Sequence, residues 1–111
     1  MLPSSQRLSV GQFNSVMEKG KVYHSPFFVL RVAKSDGIAR VSAVVPNKVA
    51  KLAVKRNKYR RLIYNAVGPI FSKIKPDFHV IVFAKSELLK SDLTDASKEI
   101  HGVFVKAGLL M

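Results

Sequence analysis

The stretch "ARVSAVVPNKVAKLAVKRNKYRRLIYNAVGPIFSKIKPDFHVIVFA", residues 39–84, decides how this chain folds. Its first seven residues, "ARVSAVV", are β-branched and apolar enough to read as a strand, which Pro46 ends. A helix follows, from Lys48 or Leu52 to Val67, because Tyr59, Ile63 and Ala66 recur at helical spacing. Gly68-Pro69 and Pro76 are breaker signals. "DFHVIVFA", 77–84, is then a strand that is nearly all apolar, the composition of a central strand covered on both faces. Strand, helix and strand in succession predict a sheet with a helix laid on it.

Working outward, "PFFVLRVAK" (26–34) reads as another strand, closed by the turn signal "SDG". Residues 39–45 are expected to be its hairpin partner. A short further strand is expected at Lys21–His24. Upstream, "RLSVGQFNSVMEKGK" reads as a helix: Ser9 and Gln12 form a capping box, Val10, Phe13, Val16 and Met17 make the apolar stripe, and Gly20 stops it. Downstream, "KSDLTDASKEIHGVFVKAG" reads as a closing helix capped by Ser91 or Asp92. Its stripe is Leu93, Ala96, Ile100 and Phe104, and Gly108 ends it. The order is α-β-β-α-β-α. The expectation is an α+β, single-domain α-β sandwich over residues 1–111, a small mixed sheet packed with about three helices.

Charge says what such a domain meets. Lys and Arg number 19 against 7 acidic residues, a net charge of +12. Between Asp36 and Asp77 there is no carboxylate but ten Lys or Arg, so nearly all the excess lies in the stretch quoted first. That concentration is the footprint of a polyanion, nucleic acid ahead of an anionic membrane. Around the basic helix, Leu52, Tyr59, Ile63, Ala66 and Ile70 form a core stripe; Asn57, Arg60, Arg61 and Tyr64 cluster on another side, with Arg56 at its margin and Lys55 and Lys58 on the other edge. A solvated face is the ordinary fate of a charge run. Here no acidic residue interleaves, and like charges four residues apart repel by about a few tenths of a kcal/mol per pair. An opposing polyanion relieves that repulsion. Lys48 and Lys51 extend the same RNA-binding candidate set. For a single strand, aromatic stacking platforms are needed, and Phe13 with Phe27 or Phe28 are candidates, although Phe at such positions is more often core.

The chain has no cysteine, which excludes disulfides and thiolate metal sites and suits a reducing cytoplasm. His24, His79 and His101 lack metal-ligand spacing. "MLPSSQRLSV" has no signal-peptide pattern, and "VIVFA" is far too short to span a bilayer. No paired carboxylates, His or Cys constellation or Gly-rich phosphate loop supports catalysis by the protein itself.

"KRNKYRRLIYNAV" resembles the signature helix of the bacterial ribonuclease P protein component family: Arg-Asn-Arg, any residue, Lys-Arg, then an apolar pair. Arg56, Asn57 and Arg61 match directly, while Lys58 stands for Arg and Arg60 for Lys. "RLSVGQFNSVMEKGK", "FFVLRVA", "RVSAVVPNKV" and "DFHVIVFAKSELL" are similar to the family's other segments, in order over nearly the whole chain. The resemblance implies a ribosomal-protein-like topology with a left-handed βαβ crossover. It implies a subunit that binds a catalytic RNA and the 5′ leader of precursor tRNA. The RNA would carry the endonuclease chemistry with its Mg²⁺, and no cofactor would be bound by the protein. Arg56, Asn57, Lys58, Arg60 and Arg61 would face the catalytic RNA, and Phe13, Met17, Val29 and Arg31 would take the leader. Met17 and Arg31 stand where the family has aromatics, Ser42 where it has Gly, and Pro46 where it has a small polar residue. A cytoplasmic monomer without membrane or DNA partners is expected. A structural ribosomal-type protein and a DNA-binding module are the alternatives, distinguished by the nucleic acid that co-purifies.

Overall fold

The computed structural model describes residues 3–35, 37–89 and 96–111. A 3₁₀ turn at Ser4–Gln6 leads into α1 (Val10–Lys19), then β1 (Lys21–His24), β2 (Phe28–Lys34) and β3 (Arg40–Val44). Next come α2 (Ala53–Val67), a 3₁₀ segment (Gly68–Lys73), β4 (Phe78–Ala84), α3 (Ser86–Leu89) and α4 (Ala96–Lys106). The architecture is α+β, as the sequence predicts: one mixed four-stranded sheet in the order β1-β2-β4-β3.

That order corrects one expectation. Residues 39–45 do not form a hairpin with β2. The partner of β2 across a tight connection is β1, and its other edge holds β4, both antiparallel. β3 lies on the far side of β4 and runs parallel to it. The reason is burial. From His79 to Val82 every residue of β4 is buried, so this strand needs a neighbour on each edge and cover on each face. The covering demand overrides the proximity of β2 and β3 in the chain.

Register assigns each side chain to a face. Phe28, Leu30 and Val32 stand opposite Ala84, Val82 and Val80, and Val41 and Ala43 stand beside Val80 and Val82. These make the main core together with Ile63, Tyr64, Ala66 and Val67 of α2 and Ile100, Val103 and Phe104 of α4. The opposite face carries Val29, Arg31, Ile81, Phe83 and Ser42. There α1 inserts Val16, which is 1% exposed. Of the predicted α1 stripe only Val16 is buried; Phe13 is half-buried, and Val10 and Met17 are exposed.

The Ser9–Gln12 capping box forms in both directions, at 3.2 and 2.9 Å. Gly20 does stop α1, but with extended backbone (φ −72°, ψ 144°) rather than a left-handed turn. Glycine is needed there for space: a Cβ would lie 2.5 Å from the Val16 carbonyl oxygen. Gly108, expected to end the closing helix, follows α4 in a left-handed conformation at φ 71°. Ser91, Asp92 and Leu93, expected at the start of that helix, fall outside the described residues, as does Asp36 of the "SDG" turn. Gly68-Pro69 does not break the rod into a loop. Pro69 enters at the first turn of the 3₁₀ segment, where its missing N–H is tolerated, and Ile70 still packs against the core.

Candidate nucleic-acid interface

The basic helix α2 is docked by one end only. Its buried residues are Ile63, Tyr64, Ala66 and Val67. From Ala53 to Leu62 no residue is buried. In this stretch Tyr59 and Leu62 pack, partly buried, against the core, while the cations other than Arg56 are exposed. Leu52, assigned to the core stripe on periodicity, precedes this packed stretch and is 63% exposed. Lys51, Lys55, Asn57, Lys58, Arg60 and Arg61 are all exposed.

Two members of the predicted set have other tasks. Tyr64 is buried, not on the polar face, and its hydroxyl accepts the Ala43 backbone N–H at 3.0 Å. It caps an amide of the edge strand β3, which blunts that edge against further pairing. Of the core stripe read from periodicity, Ile63 and Ala66 are buried and Tyr59 and Ile70 pack against the core, but the buried residues fall at i, i+1, i+3 and i+4 from Ile63, which brings Tyr64 inside as well. Arg56 is half-buried and turns its guanidinium back, donating to the carbonyls of Ala50 at 3.1 Å and Lys51 at 2.6 Å. Leu52 supplies no side-chain cap to α2, so Arg56 ties down the entry to the helix instead. On the exposed face, Arg60 donates to the Asn57 side-chain oxygen at 2.5 Å and Lys58 lies 5.9 Å from the centre of the Tyr59 ring. These contacts orient the cations without neutralising them.

Beside the helix is an open cleft of about 410 Å³ on the α1 face of the sheet. Its floor includes Val29, Arg31 and Phe83; one wall is Pro46, Lys48 and Val49, and the other runs from Lys85 to Glu87. The wall that carries Lys48 is the loop leading to α2, so cleft and cationic helix share one connection. Val29 and Arg31, predicted together, are both here. Phe13 and Met17 lie on α1 and do not line this cleft, but the Met17 carbonyl accepts from the Arg31 guanidinium at 2.9 Å, which fixes Arg31 between helix and cleft. Phe28 is fully buried and Phe27 packs against the core on the other face, so neither is the stacking platform.

The aromatic of the cleft is Phe83, which sequence reasoning passed over as one more apolar residue of a central strand. Alternation from His79 could have placed it on this face. What periodicity could not supply is the pairing of Phe83 with Val29, which makes it floor rather than core. Among the described residues no group of three or more His, Cys, Asp or Glu is gathered closely enough to hold a metal ion, and no helix is long and apolar enough to cross a membrane.

Residues 2–108 match the family model described as ribonuclease P. Among curated relatives, the ribonuclease P protein component of a Synechococcus species is 34% identical over 80 residues, which span 71% of this chain and 60% of the relative. That of a Pseudanabaena species is 26% identical over 99% of this chain and 97% of the relative. Among solved structures, the Staphylococcus aureus RNase P protein superposes with a TM-score of 0.85 at 20% identity, covering 98% of this chain and all of that one. The Thermotoga maritima RNase P protein gives 0.75 at 22% identity, covering 86% and 92%. The likeness of these structures is one of fold.

Proposed function

The chain belongs to the bacterial ribonuclease P protein family, and from that premise we propose that it is an RNA-binding subunit of an endoribonuclease that removes the 5′ leader of precursor tRNA. In this reading the catalytic RNA lies along the exposed cations of α2, and the single-stranded leader enters the cleft over Val29, Arg31 and Phe83. Mg²⁺ and the bond-breaking chemistry come with the RNA; the protein positions and neutralises.

The observation that carries the proposal is the half-docked basic helix beside an apolar cleft. Lys51, Lys55, Lys58, Arg60 and Arg61 stand in solvent, where mutual repulsion disfavours them unless phosphates intervene. A half-buried phenylalanine beside a guanidinium offers a base a face to stack on and a cation to lie against. Lys48 extends positive charge from one surface to the other.

Reconstitution tests it. Protein, cognate catalytic RNA and precursor tRNA are combined with Mg²⁺, and 5′-leader release is followed. The expected result is cleavage that requires the RNA and improves with the protein at limiting Mg²⁺. Robust cleavage by RNA-free protein, or an RNA reaction indifferent to the protein, overturns the reading.

A further inference from the structure

The cleft over Val29, Arg31 and Phe83 holds one side chain that phosphate binding does not use. Glu87 is the acidic residue in its lining, set among the cations Arg31, Lys48 and Lys85. The Glu87 side chain is exposed, and among the described residues it enters no hydrogen bond or ion pair. Two of the three cations are held elsewhere. Arg31 donates to the Met17 carbonyl at 2.9 Å, and the Lys85 Nζ donates to the Ser25 carbonyl at 3.1 Å. The cleft therefore keeps a free carboxylate on the same surface as the half-buried Phe83 ring.

On a surface that meets RNA such a charge is adverse, because it repels phosphates and weakens the field of the lysines around it. Its ordinary use is to complement a helix dipole, and Glu87 does lie in the first turn of α3. That helix has only four residues, so few peptide dipoles add and the benefit is small. A carboxylate in an RNA cleft has another use. Ionised, it only accepts hydrogen bonds, through two oxygens side by side. A single-stranded base stacked on an aromatic ring is read along its Watson–Crick edge. Guanine presents two adjacent donors there, N1–H and the 2-amino group, which match the two oxygens. Adenine and cytosine offer one amino group beside a ring acceptor. Uracil sets its N3–H between two carbonyl oxygens, which a carboxylate repels.

We infer that Glu87 is a specificity-determining residue that selects a guanine in the leader segment crossing Phe83. The base stacks on the Phe83 ring and turns its Watson–Crick edge to the Glu87 carboxylate, and Lys48 takes a neighbouring phosphate. Paired hydrogen bonds to an ionised acceptor are the strong kind. The inference rests on the leader reading above and goes beyond it, since stacking by itself accepts any base.

The test uses precursor tRNAs with an all-uridine leader, and the same leader with one guanosine placed at each position in turn. Holoenzyme reconstituted with wild-type protein, Glu87→Gln or Phe83→Ala is titrated with each. The expected result is a leader position at which guanosine tightens wild-type binding roughly five- to hundredfold. Inosine at that position keeps N1–H but lacks the 2-amino group, and should lose most of the gain. Glutamine matches glutamate in size but gives up the charge and one acceptor. Glu87→Gln should therefore bring the ratio of guanosine to uridine affinity close to one.

A ratio that survives Glu87→Gln assigns the preference to the catalytic RNA and overturns the inference. Equal weakening of uridine and guanosine leaders by Glu87→Gln also overturns it, because that marks a structural role. No guanosine preference in the wild type, with Phe83→Ala still weakening leader binding, removes Glu87 and leaves the cleft reading standing. Leader binding indifferent to Phe83→Ala overturns both. The comparison of guanosine with inosine is made on the wild type and needs no variant to fold.

Discussion

The Tyr64 hydroxyl accepts the Ala43 backbone N–H at 3.0 Å, and both residues are buried. This bond joins the basic helix to the outer strand of the sheet at the point where the helix leaves the core. Tyr64→Phe removes the acceptor and strands a buried donor, which costs about 1–3 kcal/mol. Urea denaturation should show that loss, while the affinity of the folded fraction for RNA stays close to that of the parent. A variant of undiminished stability with weakened RNA binding would return Tyr64 to the interface.

Arg56 and Arg61 lie on the same helix and should separate by phenotype. Arg56 donates to the Ala50 and Lys51 carbonyls, whereas the Arg61 side chain is exposed and, among the described residues, reaches only the Asn57 carbonyl, at 3.4 Å. Arg56→Gln is expected to lower the melting temperature as well as RNA affinity. Arg61→Gln is expected to lower affinity alone. Circular dichroism melts and a filter-binding titration on the same samples read both effects.

Salt should act strongly on assembly. With about five phosphate contacts from Lys51 and the exposed cations of α2, the slope of log affinity against log salt falls near −3.5 to −4.5. Charge reversal, Arg61→Glu, should make the slope shallower. Affinity indifferent to salt would remove the electrostatic basis of the α2 interface.

Phe83 and Phe28 share the sheet but face opposite ways. Base–aromatic stacking is worth about 1–3 kcal/mol, so Phe83→Ala should weaken binding of a long-leader precursor roughly five- to hundredfold and spare mature tRNA. Phe28 is fully buried, and Phe28→Ala should cost about 3–5 kcal/mol of stability without changing the preference for a leader. Phe13→Ala, on the half-buried face of α1, serves as the comparison. If it alone alters leader discrimination, the leader lies along α1 rather than over Phe83.

Gly20 has no room for a methyl group against the Val16 carbonyl oxygen. Gly20→Ala must distort the last turn of α1 at the Val16 carbonyl and is expected to destabilise by about 1–3 kcal/mol. That appears as a lower melting temperature. An unchanged melt would show that the junction yields freely.

What the sequence determined by itself is what depends on near neighbours in the chain. The capping box at Ser9 and Gln12, the burial of the strand around Val80 to Val82, and the run of cations without a carboxylate between Asp36 and Asp77 follow from spacing and composition. So did the family, through the motif from Arg56 to Arg61. What only the tertiary structure decided is where each face points. Periodicity gives the angle of a side chain about its helix axis but not how far along the axis the core extends. Leu52 therefore read as buried and is exposed, and Tyr64 read as polar surface and is core. Alternation puts Phe83 on one side of a strand, but whether that side is covered depends on α1 ending its contact near Met17 and on Val29 lying opposite. The insertion of β4 between β2 and β3 was likewise invisible, because strand order is chosen by the burial of all the faces together and not by adjacency in the chain.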